Sequence, residues 1–456
     1  MKRVWLAGIA ASAVWAAGLA HAETINSALE RAYVESPDLN AQRASLRATD
    51  EQVPRARSGY LPRVNASTQL GKADSTFNAG ILGGPTSDYN TTPRSVGVTV
   101  TQNLYNGDRT NKQVETAEKG VLAARAGLRW AEQQVLLNGA TQYMNVVRDE
   151  AVVKLRTANI DVLQEQLRQT KDRFNVGEVT RTDVAQVEAQ LASADADLSS
   201  AEANLESSKA NYQQIIGIAP TQLAAAEPVA KRLPAAIDNA FKIADAEHPQ
   251  LLSARFNIEI AEAQVRLVEG EFQPTVDLQG SATQQWDSKY PDDMGHDFRL
   301  LGQISVPLYD AGEISARARA AKETLGQRRL EAASTRDQVR SGVAAAWSQY
   351  QTAVARVKSA KAQIDAATIA LNGVQEEAKV GQRTTLDVLI SDQDLLSARV
   401  NLVTADRDRV VSSYQVLSAI GRLSADTLGL HVKAYQPNTH YEATRGRISG
   451  TDTATP

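Results

Sequence analysis

The chain is written twice. Gly177 and Gly381 stand 204 residues apart, and their surroundings agree: RFNVGEVTRTDV from Arg173, and EAKVGQRTTLDV from Glu377. Val135 and Val339, Gly217 and Gly421, and Leu104-Tyr105 and Leu308-Tyr309 keep the shift of 204, whereas Pro37 and Pro249, and Pro62 and Pro274, keep a shift of 212. The halves therefore differ by eight residues between Pro62 and Leu104 and scarcely elsewhere. Insertions of that kind go to exposed loops. A period of about 200 residues marks a duplicated domain and not a solenoid array.

Each half has the same order. A helical stretch (24–58, and 234–270) precedes a segment that alternates apolar and polar residues (60–70, and 272–284). A polar loop follows (71–94, and 285–297), then a second alternating segment (95–105, and 299–309). Val96, Val98 and Val100 against Gly97, Thr99 and Thr101 show the two-residue period of a strand with unlike faces. About 10 residues is the length a tilted strand needs to cross a bilayer.

Long heptad patterns come next. Val343, Tyr350, Val357, Ile364 and Leu371 form one row, and Ala346, Ala353, Ala360, Ala367 and Val374 the other. In the first half Val184, Leu191, Leu198, Leu205 and Tyr212 run beside Val187, Ala194, Ala201, Ser208 and Ile215. The stretch from Asp108 to Arg173 is about 100 Å of helix, and the flanking helical stretches about 52 Å each. Two short helices end to end match one long one. Four strands per chain cannot close a barrel without leaving an edge against lipid. About 12 strands close around an open lumen, which asks for three chains.

Composition agrees with this and excludes other classes. Aromatics are 5% of the 456 residues and the formal net charge is −4, so there is no basic face for a nucleic acid. With no cysteine there is no disulfide, thiolate metal site or acylated N-terminal cysteine. The five histidines show no metal spacing, no cofactor motif occurs, and neither a Walker loop, G-x-S-x-G nor H-E-x-x-H is present. Residues 1–22 read as a secretory signal peptide: MKR, an apolar run from Val4 to Leu19, and the Ala20-His21-Ala22 cleavage site. The rest of the chain lacks an apolar run of helix-span length.

Pro37, Tyr60-Leu61-Pro62, Leu104-Tyr105, RFNVGEVTRTDV, Leu308-Tyr309, VGQRTTLDVL and the paired Gly217 and Gly421 together resemble the TolC family of outer-membrane channel-tunnel proteins, over roughly Glu23 to Leu428. The resemblance implies a mostly α fold with a small β part: a homotrimer whose 12-stranded β-barrel continues into a periplasmic α-helical barrel. It implies a Gram-negative outer-membrane duct that takes drugs, toxic hydrophobic compounds or secreted polypeptides from an RND-type or ABC-type inner-membrane transporter and a periplasmic adaptor (membrane fusion) protein. The expected organisation is a first repeat over 23–220, an equatorial linker over 221–233, a second repeat over 234–430, and a polar tail over 431–456 that reads as loop. The rival from another class is a soluble periplasmic coiled-coil adaptor or structural protein, which leaves the strands unexplained.

The double break then reads as two helix-turn-helix tips, over 174–183 and 378–387. Gly177 and Gly381 stop the incoming helices, and Thr180 or Thr182, and Thr384 or Thr385, cap the outgoing ones. Val176, Gly177, Thr180, Val380, Gly381 and Thr384 are the expected adaptor-docking residues. The resemblance makes Asp387 a lumenal carboxylate ring and Arg383 the lock on the closed tip, through Thr182 and Asp183. Asp183 and Asp387 also suit the positive ends of their helices. The family's second ring position is Ile390 here, with Asp392 and Asp394 as substitutes, and Ala378 stands where the family has a locking tyrosine. Tyr60, Tyr105, Phe272 and Tyr309 suit the periplasmic girdle of a barrel facing outer-membrane lipid, and Trp286 the outer one.

Overall fold

A computed structural model describes residues 23–78, 86–288 and 290–453. The expected leader over 1–22 and the centre of the first loop, Gly83 included, lie outside the described residues.

The first half runs α1 (Ile25–Glu35), α2 (Pro37–Asp50), α3 (Gln52–Arg57), β1 (Arg63–Leu70), β2 (Ala73–Asn78), β3 (Thr86–Thr91), β4 (Arg94–Tyr105), α4 (Arg109–Asn175) and α5 (Arg181–Ile216). The second runs α6 (Ile237–Glu247), α7 (Pro249–Glu269), β5 (Thr275–Trp286), β6 (Met294–Ser305), α8 (Glu313–Lys379) and α9 (Thr385–Ala419), followed by α10 (Ala425–Leu428) and α11 (Pro437–Thr444).

Three boundaries correct the sequence expectations. Each opening helix is divided, because Ser36 and His248 precede prolines and take extended backbone (ψ 119° and 123°). The two residues then cap α2 and α7: the Ser36 hydroxyl accepts from the Leu39 N–H, and His248 Nδ1 from the Gln250 N–H. Burial drives the His248 pKa down to about 4, which keeps that nitrogen an acceptor. The strands begin after Pro62 and Pro274 and end before Pro307, since proline cannot donate to a ladder. Tyr60 and Phe272 therefore sit in short 3-10 turns, and Tyr309 beyond β6. The long polar loop of the first half is not irregular throughout: β2 and β3 pair as a separate antiparallel ribbon, from Ala73 opposite Thr91 to Asn78 opposite Thr86.

The main sheet has the antiparallel order β1-β4-β5-β6, so the halves join at β4 and β5 and the outer edges of β1 and β6 are unpaired. One face carries the rows Val64–Val100–Gly280–Leu300 and Ala66–Val98–Ala282–Phe298. The other carries Asn65–Thr99–Ser281–Arg299. Phe298 is 77% exposed and Ile304 69%, so the apolar face is bare in the single protomer. Among the described residues no helix is long and apolar enough to cross a membrane.

The core lies midway along the helices. Leu29, Leu39, Leu46, Leu136, Tyr143, Tyr212, Tyr414 and Leu417 are buried there, drawn from α1, α2, α4, α5 and α9. The Tyr143 hydroxyl lies 2.7 Å from the carbonyl oxygens of both Glu23 and Ala224, and Glu23 pairs with Leu223 in a parallel bridge.

The tail expected as loop is folded. It climbs α1 and α2: the His431 N–H donates to Glu30, the Tyr435 N–H to the Tyr33 hydroxyl, and α11 places His440 against Asp50 (2.9 Å), both buried. Desolvation raises the Asp50 carboxyl pKa, with the His440 hydrogen bond opposing it. His440→Ala removes that partner and is expected to cost about 1–3 kcal/mol, read as a lower urea midpoint. An unchanged midpoint would show that the pair contributes nothing.

Candidate functional site

The two tips are built alike. Gly177 (φ 80°) and Gly381 (φ 76°) take the left-handed conformation that glycine adopts without Cβ strain. The chain closes around them: Gly177 N–H donates to Phe174 and Glu178 N–H to Arg173, while Gly381 N–H donates to Ala378 and Gln382 N–H to Glu377.

Of the capping alternatives, the structure selects Thr180 and Thr384. Each accepts from the N–H three residues on, at 3.3 and 3.2 Å, and the aspartate there reaches back to the threonine N–H, at 2.8 and 2.9 Å. Asp183 and Asp387 thus complete two capping boxes. Thr182 and Thr385 lie just inside the helices. The Thr384 backbone N–H, then its hydroxyl, holds the Asp387 carboxyl below its ordinary range; for Asp183 the Thr180 hydroxyl leads. Carboxylates shifted in this direction keep their charge into mildly acid solution and lose it only as the pH falls through the depressed pKa.

Within one protomer Arg383 bonds neither Thr182 nor Asp183. Its Nε is held by Glu377 at 2.8 Å, because that carboxylate lies on the same turn. Arg383, Asp183, Thr180, Ala378 and Gly381 nevertheless line one open cleft of about 840 Å³. The Arg173–Glu178 pair, at 3.1 Å, holds the first tip. Val176 and Val380 point into solvent at the ends, 73% and 70% exposed.

Ile390 is exposed and shares a second groove with Leu386 and Asp394. Asp392 is partly buried, and desolvation raises its pKa, which weakens it as a substitute charge; Asp394 keeps a place beside Ile390. Glu377 was not singled out by sequence. Glu377 opens the second repeated stretch, and its spacing to Arg383 was the available signal.

At the other end of the long helices, Tyr60, Tyr105 and Phe272 are each about half exposed at the helical margin of the sheet, with Tyr309 nearby in sequence. Trp286 ends β5 at the opposite margin, paired with Arg94 and Met294. Among the described residues there is no cluster of ligands able to hold a metal ion.

The chain matches the family described as outer membrane efflux protein over residues 28–218 and 241–422, one block per repeat. It is 38% identical over 430 residues to the outer membrane efflux protein BepC of Brucella suis biovar 1 (strain 1330), covering 94% of this chain and 92% of that one. It is 26% identical to the outer membrane protein TolC of Escherichia coli (strain K12), over 90% of this chain and 84% of that one. In shape it resembles the crystal structure of the Campylobacter jejuni CmeC outer membrane channel, with a TM-score of 0.78 at 17% identity, covering 92% of this chain and 89% of that one.

Proposed function

The chain belongs to the outer membrane efflux protein family, and from that premise we propose that its tips are the gate of an outer-membrane exit duct. Three protomers close a 12-stranded barrel, each lending its bare β6 edge to the β1 edge of the next. The duct works in a tripartite export system, with a periplasmic adaptor and an RND-type or ABC-type inner-membrane transporter. It passes drugs, toxic hydrophobic compounds or secreted polypeptides to the outside.

The observation that carries this reading is the joining of two devices in one chain. A four-stranded sheet of bilayer length has one apolar face and two open edges. Through short turns over 106–108 and 306–312 it leads into helices of 67 residues, about 100 Å long. A soluble adaptor has no use for the apolar sheet face. The tip valines and glycines are the surface offered to the adaptor, and the exposed aromatics at the sheet margins meet the lipid headgroups.

Native mass spectrometry in detergent is expected to give three copies of the chain. A stable monomer or dimer would sink the duct, because four strands alone leave two edges in lipid.

A further inference from the structure

On the reading that the sheet lies in the outer membrane, we propose that the end of the C-terminal tail is a second membrane contact: a basic patch that binds the anionic phospholipid headgroups of the leaflet facing the helices.

The tail rises toward the sheet in step with the opening helices. The His431 N–H meets Glu30, the Tyr435 N–H meets the Tyr33 hydroxyl, His440 meets Asp50, and the Arg445 carbonyl oxygen accepts from Arg57 (3.5 Å). Along the way the Arg125 guanidinium lies over the Tyr441 ring, 5.1 Å from its centroid. Arg57 ends α3, and the short turn after it holds Tyr60 at the helical margin of the sheet. Three residues past Arg445, Ile448 is 79% exposed. A bare isoleucine thus follows two arginines where the rise has brought the tail to the last turns below the sheet.

The charge around it is of one sign. Residues 52–63 and 445–449 carry Arg55, Arg57, Arg63, Arg445 and Arg447 and no carboxylate. Arg55, Arg63 and Arg445 are exposed, and Arg57 and Arg447 partly so. Their carboxylate partners come from outside the patch and are solvated: Glu118 on Arg57 (3.5 Å), Glu442 on Arg445 (3.1 Å) and Asp452 on Arg447 (3.9 Å). Arg447 also donates to the Ser449 and Asp452 carbonyl oxygens. Solvated pairs exchange cheaply, so the guanidiniums are free to turn to phosphate, which they grip with two N–H donors.

The repeat shows that the shared fold does not ask for these arginines. At the shift of 212, Arg55, Arg57 and Arg63 correspond to Leu267, Glu269 and Thr275. The arginines stand in the half whose opening helices the tail climbs. Tyr60 and Leu61, 50% and 40% exposed, lie between Arg57 and Arg63 in the chain, so the patch is continuous with the margin already assigned to lipid. A basic residue beside an anionic leaflet strengthens the attraction about fivefold, and an isoleucine among such residues enters the headgroup boundary. Charge and apolar surface together favour a lipid leaflet over an acidic protein.

The chain has no cysteine, so an introduced thiol is labelled alone. The experiment uses the full trimer in lipid nanodiscs. I448C carries an environment-sensitive fluorophore, and a small share of phosphatidylcholine spin-labelled at its headgroup is the quencher. One set of discs is otherwise phosphatidylcholine; in the other, phosphatidylglycerol replaces part of it. Quenching is expected to be several-fold stronger in the anionic discs, to return to the phosphatidylcholine level in R445Q/R447Q, and to be unchanged by K433Q, lower on the tail. Equal quenching in the two sets, or a fluorophore that stays in water in both, overturns the inference. A fluorescence change confined to native outer-membrane fragments assigns the surface to another component of that membrane and overturns it likewise. A chain that does not enter the discs as a trimer removes the duct reading, and this inference with it.

Discussion

Replacing Gly107 with alanine is expected to leave no assembled trimer in the outer membrane. Gly107 has φ 70°, and a Cβ there would lie 2.1 Å from the Gly270 carbonyl oxygen and 2.8 Å from the Gln273 Cβ. The contact is reciprocal, for a Cβ on Gly270 would lie 2.4 Å from the Gly107 carbonyl oxygen. The nearest atom in each case is backbone, so no flexible side-chain end can give way. The two glycines mark where the chain leaves β4 for α4 and where it leaves α7 for β5. Their contact is the neck that holds the repeats together below the sheet. Forcing it apart adds left-handed strain for a residue with a Cβ and shifts β5 relative to β4, which puts the whole register at risk. The measurement is trimer yield by native mass spectrometry from outer-membrane extracts. Gly127→Ala is the control, since nothing lies within 4 Å of a Cβ added there and helix propensity favours alanine. A Gly107→Ala trimer at the wild-type yield would show that the neck is not tight.

Arg383→Ser is expected to raise single-channel conductance several-fold in a planar bilayer. The guanidinium is half exposed and, among the described residues, paired with Glu377 alone. Such a pair is cheap to exchange in water, so the arginine can hand its donors to a neighbouring turn on closing and take Glu377 back on opening. Ala378, which has no side-chain donor, lines the same cleft, so on the proposed gate reading the arginine carries a larger share of the closure. In the proposed trimer three copies would lose their links at once. Asp387→Asn is the companion measurement. It should lower cation preference and weaken block by trivalent cations, because a ring of three carboxylates makes a strong local field. Its effect on folding should be small, since asparagine can still accept the Thr384 N–H. Unchanged conductance in intact Arg383→Ser trimers would refute the gate assignment, and unchanged selectivity would leave Asp387 as a helix cap.

The parts of this fold legible in the sequence are those in which local chemistry and the repeat agree. Gly177 with Thr180, and Gly381 with Thr384, spell a stop and a start twice over, and the alternation around Val98 fixes which strand face is apolar. The prolines that divide the opening helices are equally visible, but the apolar period continues through Ser36 and His248 and masks the division. The ribbon of β2 and β3 leaves little trace in the sequence because most of its residues are polar, its strands are short and its pairing rests on backbone bonds. The last helix is hidden for a related reason: what it buries are His440 and Thr444, and the partner of His440 lies hundreds of residues away. Glu377 depends on which group stands opposite in the folded chain, and no spacing along one helix reveals that.

The closing of the tail on α1 and α2 also sets a timetable. Tyr33 and Asp50 take as partners Tyr435 and His440, which the ribosome makes about 400 residues later. The central core likewise draws on Ala28 at one extreme and Leu430 at the other. Contacts so distant in sequence form slowly. Until those contacts close, the apolar surface that forms the core stays exposed, and a chain in that state is open to proteases and to aggregation.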